Sequence, residues 1–169
     1  MLNKEHSKKH QVKIFCTGGT IDKVYFDALS DYQIGDPVVG NILKEGLAKF
    51  SFDVVSILKK DSLEITDEDR DIIYQQVSAD SCEHILITHG TDTMINSAQR
   101  LEEIKDKTIV LTGAMQPARF RNTDAIFNIG YAISAAQHLP HGIYLAMNGQ
   151  IFTPNAVQKN RAKAQFETT

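Results

Sequence analysis

After residue 11 the chain alternates short apolar runs with longer segments in which apolar residues recur every three or four positions. The short runs are rich in β-branched residues and mostly apolar throughout, as in strands that are covered on both faces. We predict five such strands, at residues 12–16, 53–58, 84–88, 108–111 and 142–146. Alternation of strands with helices predicts an α/β fold: an open, mostly parallel sheet with helices on both faces, of the Rossmann or flavodoxin type.

The first two helices between these strands have recognisable starts. Asp36 before Pro37 predicts an N-cap and a first-turn proline. Thr66 and Asp69 resemble a capping box, with Asp where Glu or Gln is usual. The apolar stripe expected on the first helix consists of Val39, Ile42, Leu43 and Leu47.

Two further helices are predicted at residues 93–104 and 123–138. The buried face of the latter is expected to comprise Ile126, Ile129, Ile133 and Ala136. Residues 150–152 are consistent with a short additional strand. The remaining residues, 153–169, are mostly polar and are predicted to be peripheral.

The length and composition of the chain indicate one globular domain. With 169 residues, 42% hydrophobic and 23% charged, the chain can form one core of ordinary size. We expect a flexible segment at residues 1–11 and a single domain at residues 12–169. The segment 1–11 lacks the apolar stretch of a secretory signal, which predicts a cytoplasmic protein.

Charge and cysteine content exclude several kinds of partner. A net charge of −3 and a pI near 6.0 do not favour nucleic acid, and no membrane association is expected. His6 and His10 lie in the polar terminus and are not expected to bind metal. Cys16 and Cys82 lack metal-ligand or redox spacing and are predicted to be reduced. We therefore expect neither a metal nor another cofactor.

Hydroxyl groups and glycines concentrate where the predicted strands end. The relevant runs lie at residues 17–20, 61–62, 88–93 and 112–115. In an open parallel sheet, the carboxyl ends of the strands form the ligand-binding edge. Taken singly these signals are weak, since two consecutive glycines can simply make a tight turn, and Thr91 can simply cap a helix. The runs lack the Walker and G-x-G-x-x-G patterns, which argues against a nucleotide site.

Two of these runs together resemble the signature motifs of bacterial-type L-asparaginases. They are TGGTI at residues 17–21 and THGTDTM at residues 88–94. The resemblance continues through TGAM at residues 112–115, a helix containing Asp124 and Asn128, and MNG at residues 147–149. It covers nearly the whole chain after residue 11, and it implies an amidohydrolase of this family.

The resemblance assigns Thr20 as the nucleophile that attacks the amide carbonyl. A threonine hydroxyl needs a neighbouring group to accept its proton. The family carries a tyrosine for this purpose on the loop after the first strand, and Tyr32 in the run DYQIG is its counterpart, with Tyr25 as the rival. The alternative for Tyr32 is an exposed loop aromatic without a catalytic role.

A second catalytic group implied by the resemblance comprises Thr91, Asp92 and Lys159. Lys159 would orient or polarise the Thr91 hydroxyl, while Asp92 would bind the α-ammonium group of the substrate. Without the resemblance, Lys159 would be interpreted as a solvated lysine beside Arg161 and Lys163.

The remaining implied contacts concern substrate binding. Ser62 corresponds to the serine that meets the α-carboxylate, and the Ala114 carbonyl to an acceptor for the scissile amide. Leu63 departs from the family, which often has a polar residue there, so weaker binding is expected. We also expect the smaller C-terminal domain of family members to be absent. The residue which that domain contributes to a neighbouring site would then be missing too.

The leading hypothesis is an L-asparaginase that converts L-asparagine to L-aspartate and ammonia. One alternative is a glutaminase or the ammonia-donor subunit of an amidotransferase. Asparagine and glutamine differ by one methylene group, which is worth only about 1–3 kcal/mol of discrimination between substrates. Another is a module that binds an amino acid without hydrolysing it. By analogy with the family, a homo-oligomer, either a dimer or a tetramer, is expected.

Overall fold

The computed structural model of the chain describes residues 11–169, which are built around a six-stranded sheet. The elements in chain order are β1 (Val12–Gly18), β2 (Lys23–Phe26), β3 (Asp31–Ile34), α1 (Val39–Glu45), β4 (Phe52–Lys60), α2 (Asp67–Ala79), β5 (His84–Thr88), α3 (Met94–Arg100), β6 (Thr108–Thr112), α4 (Ala125–His138), β7 (Gly142–Met147), β8 (Gln150–Phe152), β9 (Val157–Asn160) and β10 (Gln165–Thr168). The strand order is β4-β1-β5-β6-β7-β8, with the first five parallel and β8 antiparallel to β7. This confirms the predicted fold class.

Helices cover both faces of the sheet because successive strand residues point to opposite sides. On β1, Ile14 and Cys16 join one apolar cluster, which is covered by α1 and α4. Phe15, between them, joins the other cluster, which α2 and α3 cover. All three side chains are buried, which explains why the strand is apolar at consecutive positions.

All five predicted strands are present, each observed strand includes all of the predicted residues, and the additional strand at 150–152 is confirmed as β8. Two hairpins were not predicted: β2 pairs with β3, and β9 pairs with β10. The prediction of a peripheral tail is wrong in part, since Val157 of β9 and Phe166 of β10 are buried against the α2–α3 face. Each tail strand buries a single apolar residue, so its alternation is too short to be recognised from the sequence.

The start of α1 differs from the prediction. Asp36 is not its N-cap, because its carboxylate pairs instead with Lys59. The backbone N–H of Val38, the actual N-cap residue, donates to Asp22 Oδ1 at 3.0 Å. Asp22 is buried, and this burial raises the pKa of its carboxyl group to about 6. A residue 16 positions earlier thus satisfies the helix start, which local sequence patterns cannot reveal.

The other helices follow the predictions with shorter bounds. The Thr66–Asp69 capping box is present at the start of α2. The α1 helix ends at Glu45, which leaves Leu47 of the predicted stripe exposed. Helix α3 ends at Arg100, and α4 begins at Ala125.

The prediction of the buried face of α4 is correct except at the first of its four positions. Ile129, Ile133 and Ala136 are buried, but Ile126 is 61% exposed. Ile126 and its neighbour Phe127, which is also exposed, point away from the sheet. The helix therefore begins with apolar residues on its outer surface.

The two cysteines are free, as predicted. Burial raises the pKa of the Cys16 thiol to about 12, which makes this thiol unreactive at neutral pH. The predictions for His6 and His10, and for all of residues 1–11 except Gln11, lie outside the described residues. Within residues 11–169 there is no cluster of three potential metal ligands, and no helix is long and apolar enough to cross a bilayer.

Candidate active site

Loops at the carboxyl ends of β1, β4 and β5 touch one another through glycines. Gly19 has φ +88°, and a Cβ atom placed on it would lie 2.5 Å from Gly90 Cα. A Cβ atom on Gly90 would in turn lie 2.5 Å from Ser62 Cβ. Side chains at these two positions would force the loops apart. The absence of a Cβ atom therefore brings Thr20 and Thr91, which directly follow these glycines, to the same edge of the sheet.

Thr91, Asp92 and Lys159 form one hydrogen-bonded group. Lys159 Nζ lies 2.7 Å from Thr91 Oγ1 and 2.6 Å from Asp92 Oδ1. Thr91 is buried, and the Lys159 side chain is only 13% exposed. Lys159 belongs to β9, where its cross-strand partner is Phe166 of β10. Lys159 thus makes direct contact with two residues that precede it in the chain by 68 and 67 positions.

Ser62 lies directly beneath this group. Its hydroxyl oxygen accepts the backbone N–H of Asp92 at 3.1 Å, and its carbonyl oxygen accepts the Thr93 hydroxyl at 2.6 Å. Ser62 is itself 2% exposed, whereas the following Leu63 is 65% exposed. The serine therefore holds the loop that carries Thr91 and Asp92.

The two candidate tyrosines face each other across the β2–β3 hairpin. Tyr25 and Tyr32 are cross-strand partners with ring centroids 5.4 Å apart. Tyr32 also packs edge-on against Phe120 at 5.9 Å, and it is 45% exposed. Within residues 11–169, the Thr20 hydroxyl forms no hydrogen bond with either tyrosine. The structure thus brings Thr91, Asp92, Lys159 and Ser62 together, but it does not join Thr20 to Tyr32.

The loop after β6 is held by Asp124. Its carboxylate accepts the backbone N–H groups of Met115 and Gln116 at 3.0 to 3.1 Å. Burial by itself would raise the pKa of Asp124, but these hydrogen bonds, with one from Asn148, lower it below its ordinary value. Ala114, the residue before this anchored segment, is buried. Sequence reasoning named Asp124 only as part of the resemblance and missed this anchoring role.

His89, between Thr88 and Gly90, was not assigned a role from the sequence. The ring is completely buried, with Nδ1 2.7 Å from the Gly90 carbonyl oxygen and Nε2 2.8 Å from Ser97 Oγ. A neutral ring that donates from Nδ1 and accepts at Nε2 satisfies both contacts. Burial lowers the pKa of His89 to about 4, although the hydrogen bond to Gly90 opposes the shift. His89 thereby fixes the turn that presents Thr91.

This environment predicts a pH-dependent loss of stability. An unfolded histidine takes up a proton near pH 6.5, whereas folded His89 does so only near pH 4, so the free energy of unfolding falls as pH decreases across this interval. Asp22 contributes the opposite slope between pH 3.8 and 6, because its pKa is raised. We therefore expect His89→Gln, which cannot titrate, to lose less stability than the wild type between pH 6.5 and 4.

Urea unfolding of both proteins across this range measures the two slopes. Asp22 is present in both proteins, so its contribution cancels in the comparison. Identical slopes would contradict the expected neutral, buried state of His89. A nuclear magnetic resonance titration of the wild-type ring provides a direct check that does not depend on the stability of the variant.

Arg161 is a second feature that the sequence did not reveal. Its Nε lies 3.8 Å from Asp92 Oδ1, and its side chain is 68% exposed. In the sequence it was only a charged neighbour of Lys159, and the turn that follows β9 directs it back toward Asp92. The only local indication that Arg161 belongs to the site is its position two residues after Lys159.

Comparison with known proteins identifies the family of this fold and site. Residues 11–167 match the family model of the asparaginase N-terminal domain. Similar curated proteins are the glutaminase-asparaginase of Acinetobacter glutaminasificans, 31% identical over 89% of this chain, and the L-asparaginase of Thermococcus kodakarensis, 35% identical over 85%. A third is a component of the glutamyl-tRNA(Gln) amidotransferase of Methanococcus maripaludis, 29% identical over 88%.

The chain spans half or less of the length of these relatives: 50%, 45% and 38%, respectively. Among solved structures, the thermostable L-asparaginase of Thermococcus kodakarensis superimposes with a TM-score of 0.80 at 28% identity, over 94% of this chain and 51% of its own. A probable cytoplasmic L-asparaginase of Campylobacter jejuni gives 0.74 at 26% identity over the same shares. As the sequence motifs predicted, the chain belongs to the asparaginase family of amidohydrolases.

Proposed function

We propose that this chain hydrolyses the side-chain amide of L-asparagine, with Thr20 as the nucleophile. The observation that carries the proposal is the Thr91–Lys159–Asp92 group, with contacts of 2.7 and 2.6 Å, beside the contact between Gly19 and Gly90. It combines a hydroxyl, an amine and a carboxylate at the edge of the sheet where the loops after β1, β4 and β5 meet. Such a combination suits proton transfer to and from an amide.

In the acylation step, the Thr20 oxygen attacks the amide carbonyl carbon and its proton leaves to a base. The developing oxyanion would be stabilised by backbone N–H groups next to Thr20 and Thr91. When the tetrahedral intermediate collapses, the C–N bond breaks, and the nitrogen takes up a proton and leaves as ammonia. The product is an ester between Thr20 and the aspartyl side chain.

In deacylation, water attacks this ester and returns Thr20 to its free form. Lys159 contacts the Thr91 hydroxyl, so the two groups can orient the water and exchange its proton. Asp92 holds the lysine in place through the contact to Oδ1. This division assigns acylation to Thr20 and deacylation to the Thr91 group.

The proton acceptor for Thr20 is Tyr32, with Tyr25 as the alternative. Since neither tyrosine is hydrogen-bonded to Thr20 in the structure, this role requires the β2–β3 hairpin to move when substrate binds. The exposed position of Tyr32 leaves room for such a movement. Gly35 after β3 donates its N–H to the Asp22 carbonyl oxygen at 2.8 Å, which anchors the base of the hairpin.

For substrate binding, we propose that Asp92 meets the α-ammonium group and that the Ser62 hydroxyl meets the α-carboxylate. The Ala114 carbonyl would accept an N–H of the scissile amide. Leu63 supplies no polar group beside Ser62, which supports weaker binding than in relatives with a polar residue there. No metal or other cofactor enters this mechanism.

Glutamine is the alternative substrate, because one relative is named a glutaminase-asparaginase and another belongs to a tRNA amidotransferase. Ammonia release from L-asparagine and L-glutamine, measured over a wide concentration range, tests the function and the preference together. We expect a higher kcat/KM for asparagine. Release from glutamine alone would favour the amidotransferase or glutaminase alternative, and calorimetric binding without any ammonia would favour a non-catalytic module.

The assembly and location of the protein remain predictions. A dimer or tetramer is expected from the family, and light scattering of the purified chain measures it. A cytoplasmic location is consistent with the name of the Campylobacter jejuni structure, although a Haemophilus influenzae relative is named as periplasmic. Fractionation of cells that express the native gene separates these two locations.

A further inference from the structure

Two cations converge on one carboxylate oxygen of the candidate site. Asp92 Oδ1 lies 2.6 Å from Lys159 Nζ and 3.8 Å from Arg161 Nε. Lys159 is largely buried and also contacts Thr91, whereas Arg161 is 68% exposed. A guanidinium carries five N–H donors, and among the described residues only Nε of Arg161 pairs with Asp92.

This arrangement changes what the Asp92 carboxylate can bind. An ammonium group that approaches Asp92 meets two positive charges already paired with it, and like charges repel at this range. A carboxylate that approaches the same place is attracted by them. The exposed Leu63 supplies no polar group that would restore affinity for an ammonium group.

With the α-ammonium group beside Asp92, as in the proposed function, the substrate's carboxylate would lie close to Arg161. In an α-amino acid, the ammonium and carboxylate groups are attached to one carbon atom, so a residue beside the ammonium site also lies close to the carboxylate. Arginine is well suited to this contact because its planar fork can bind both carboxylate oxygens. Ser62 is 2% exposed and already accepts the Asp92 N–H, so it has only its single hydroxyl hydrogen to donate to a carboxylate.

We propose that Arg161 binds the free carboxylate of the substrate and so determines specificity, making the site accept ω-amides of dicarboxylic acids that lack an α-ammonium group. The proposal deepens the proposed amidohydrolase function and rests on it for its kinetic part. L-asparagine remains a substrate with its α-ammonium group beside Asp92, but this contact is weak because Asp92 already pairs with Lys159 and Arg161. The deaminated analogue, succinamate, then becomes a comparable substrate.

Binding of two carboxylate ligands tests this without catalysis. Calorimetric titrations of the wild type, Arg161→Gln and Lys163→Gln use succinate, which lacks the ammonium group, and L-aspartate, which has it. Lys163 has the same charge on the same hairpin but no ion pair with Asp92, so it is the matched control. We expect Arg161→Gln to raise the Kd for succinate about tenfold. The Kd for L-aspartate should change by less than about threefold, because in this variant its ammonium group reaches Asp92 more easily.

Kinetics with succinamate and L-asparagine complete the test. Arg161→Gln should lower the ratio of kcat/KM for succinamate to that for L-asparagine about tenfold, and Lys163→Gln should leave it unchanged. The proposal is overturned if succinate does not bind the wild type, if both ligands weaken equally in Arg161→Gln, or if Lys163→Gln has the same effect.

The amidohydrolase function and the role of Arg161 can be disproved separately. If no amide releases ammonia but succinate binding depends on Arg161, the proposed hydrolase function is wrong and the role of Arg161 in carboxylate binding stands. If both amides are hydrolysed and their ratio does not respond to Arg161→Gln, only the role of Arg161 is wrong.

Discussion

Replacement of Thr20 by valine is expected to lower kcat for ammonia release by about a thousandfold or more, because the variant cannot form the acyl-enzyme ester. Valine keeps the β-branched shape, so the 3-10 turn at Thr20–Asp22 is retained. Thr20→Ser, which keeps a hydroxyl group, is the matched control and should retain measurable activity. Ammonia release from L-asparagine by both variants is the measurement.

Trapping the intermediate strengthens this test. Hydroxylamine added during turnover should divert the aspartyl group to a hydroxamate in the wild type and in Thr20→Ser, but not in Thr20→Val. Mass spectrometry of rapidly denatured enzyme should locate the added aspartyl mass on the peptide that contains Thr20. Full activity of Thr20→Val, or an aspartyl group on a Thr91 peptide, would assign the nucleophile elsewhere.

The second large effect is expected at Lys159, whose replacement by methionine should lower kcat about a hundredfold or more, since it removes the only amine in contact with Thr91 Oγ1 among the described residues. Methionine fills a similar volume beside Phe166, so the β9–β10 hairpin can remain packed. Lys163→Met is the control on the same hairpin and should retain wild-type kcat. Steady-state rates of both variants with L-asparagine measure the effect.

A double-mutant cycle with Thr91→Val separates a shared role from independent roles. If Lys159 acts through Thr91, the double variant should be about as slow as the slower single variant, because residues that act as a unit are strongly non-additive. If the proposed deacylation role is correct, Lys159→Met should also accumulate the acyl-enzyme. Multiplicative rate losses without such accumulation would contradict that role.

The central sheet was predictable because its strands are covered on both faces. Residues 84–88 and 108–111 are almost wholly apolar or β-branched, and both become buried strands with parallel partners. The capping box of α2 was predictable because it lies within four consecutive residues. The hairpins were not, because β2 and β3 are largely exposed and β9 and β10 each bury one apolar residue.

Predictions also failed where a distant residue replaced a local partner. Asp36 was expected to cap α1 because it directly precedes Pro37, but Asp22 accepts the Val38 N–H instead. Ile126 matched the apolar spacing of α4, yet it points outward. Apolar periodicity indicates a stripe along a helix but does not show where the edge of that stripe lies. Both corrections depend on how elements pack, which local spacing does not encode.

For the candidate site, local sequence patterns were enough to show which chemical groups are available and where they lie on the strands: hydroxyl groups and glycines at the carboxyl ends, in two runs that together indicate the asparaginase family. The contacts between these groups follow from the tertiary structure. It places Lys159 against Thr91 and Asp92 across 67 and 68 residues, leaves Tyr32 unbonded to Thr20, and brings Arg161 toward the same carboxylate. The physical reason is that strand formation follows from local patterns of burial, whereas contacts between loops depend on the sheet order and on the packing of hairpins far along the chain.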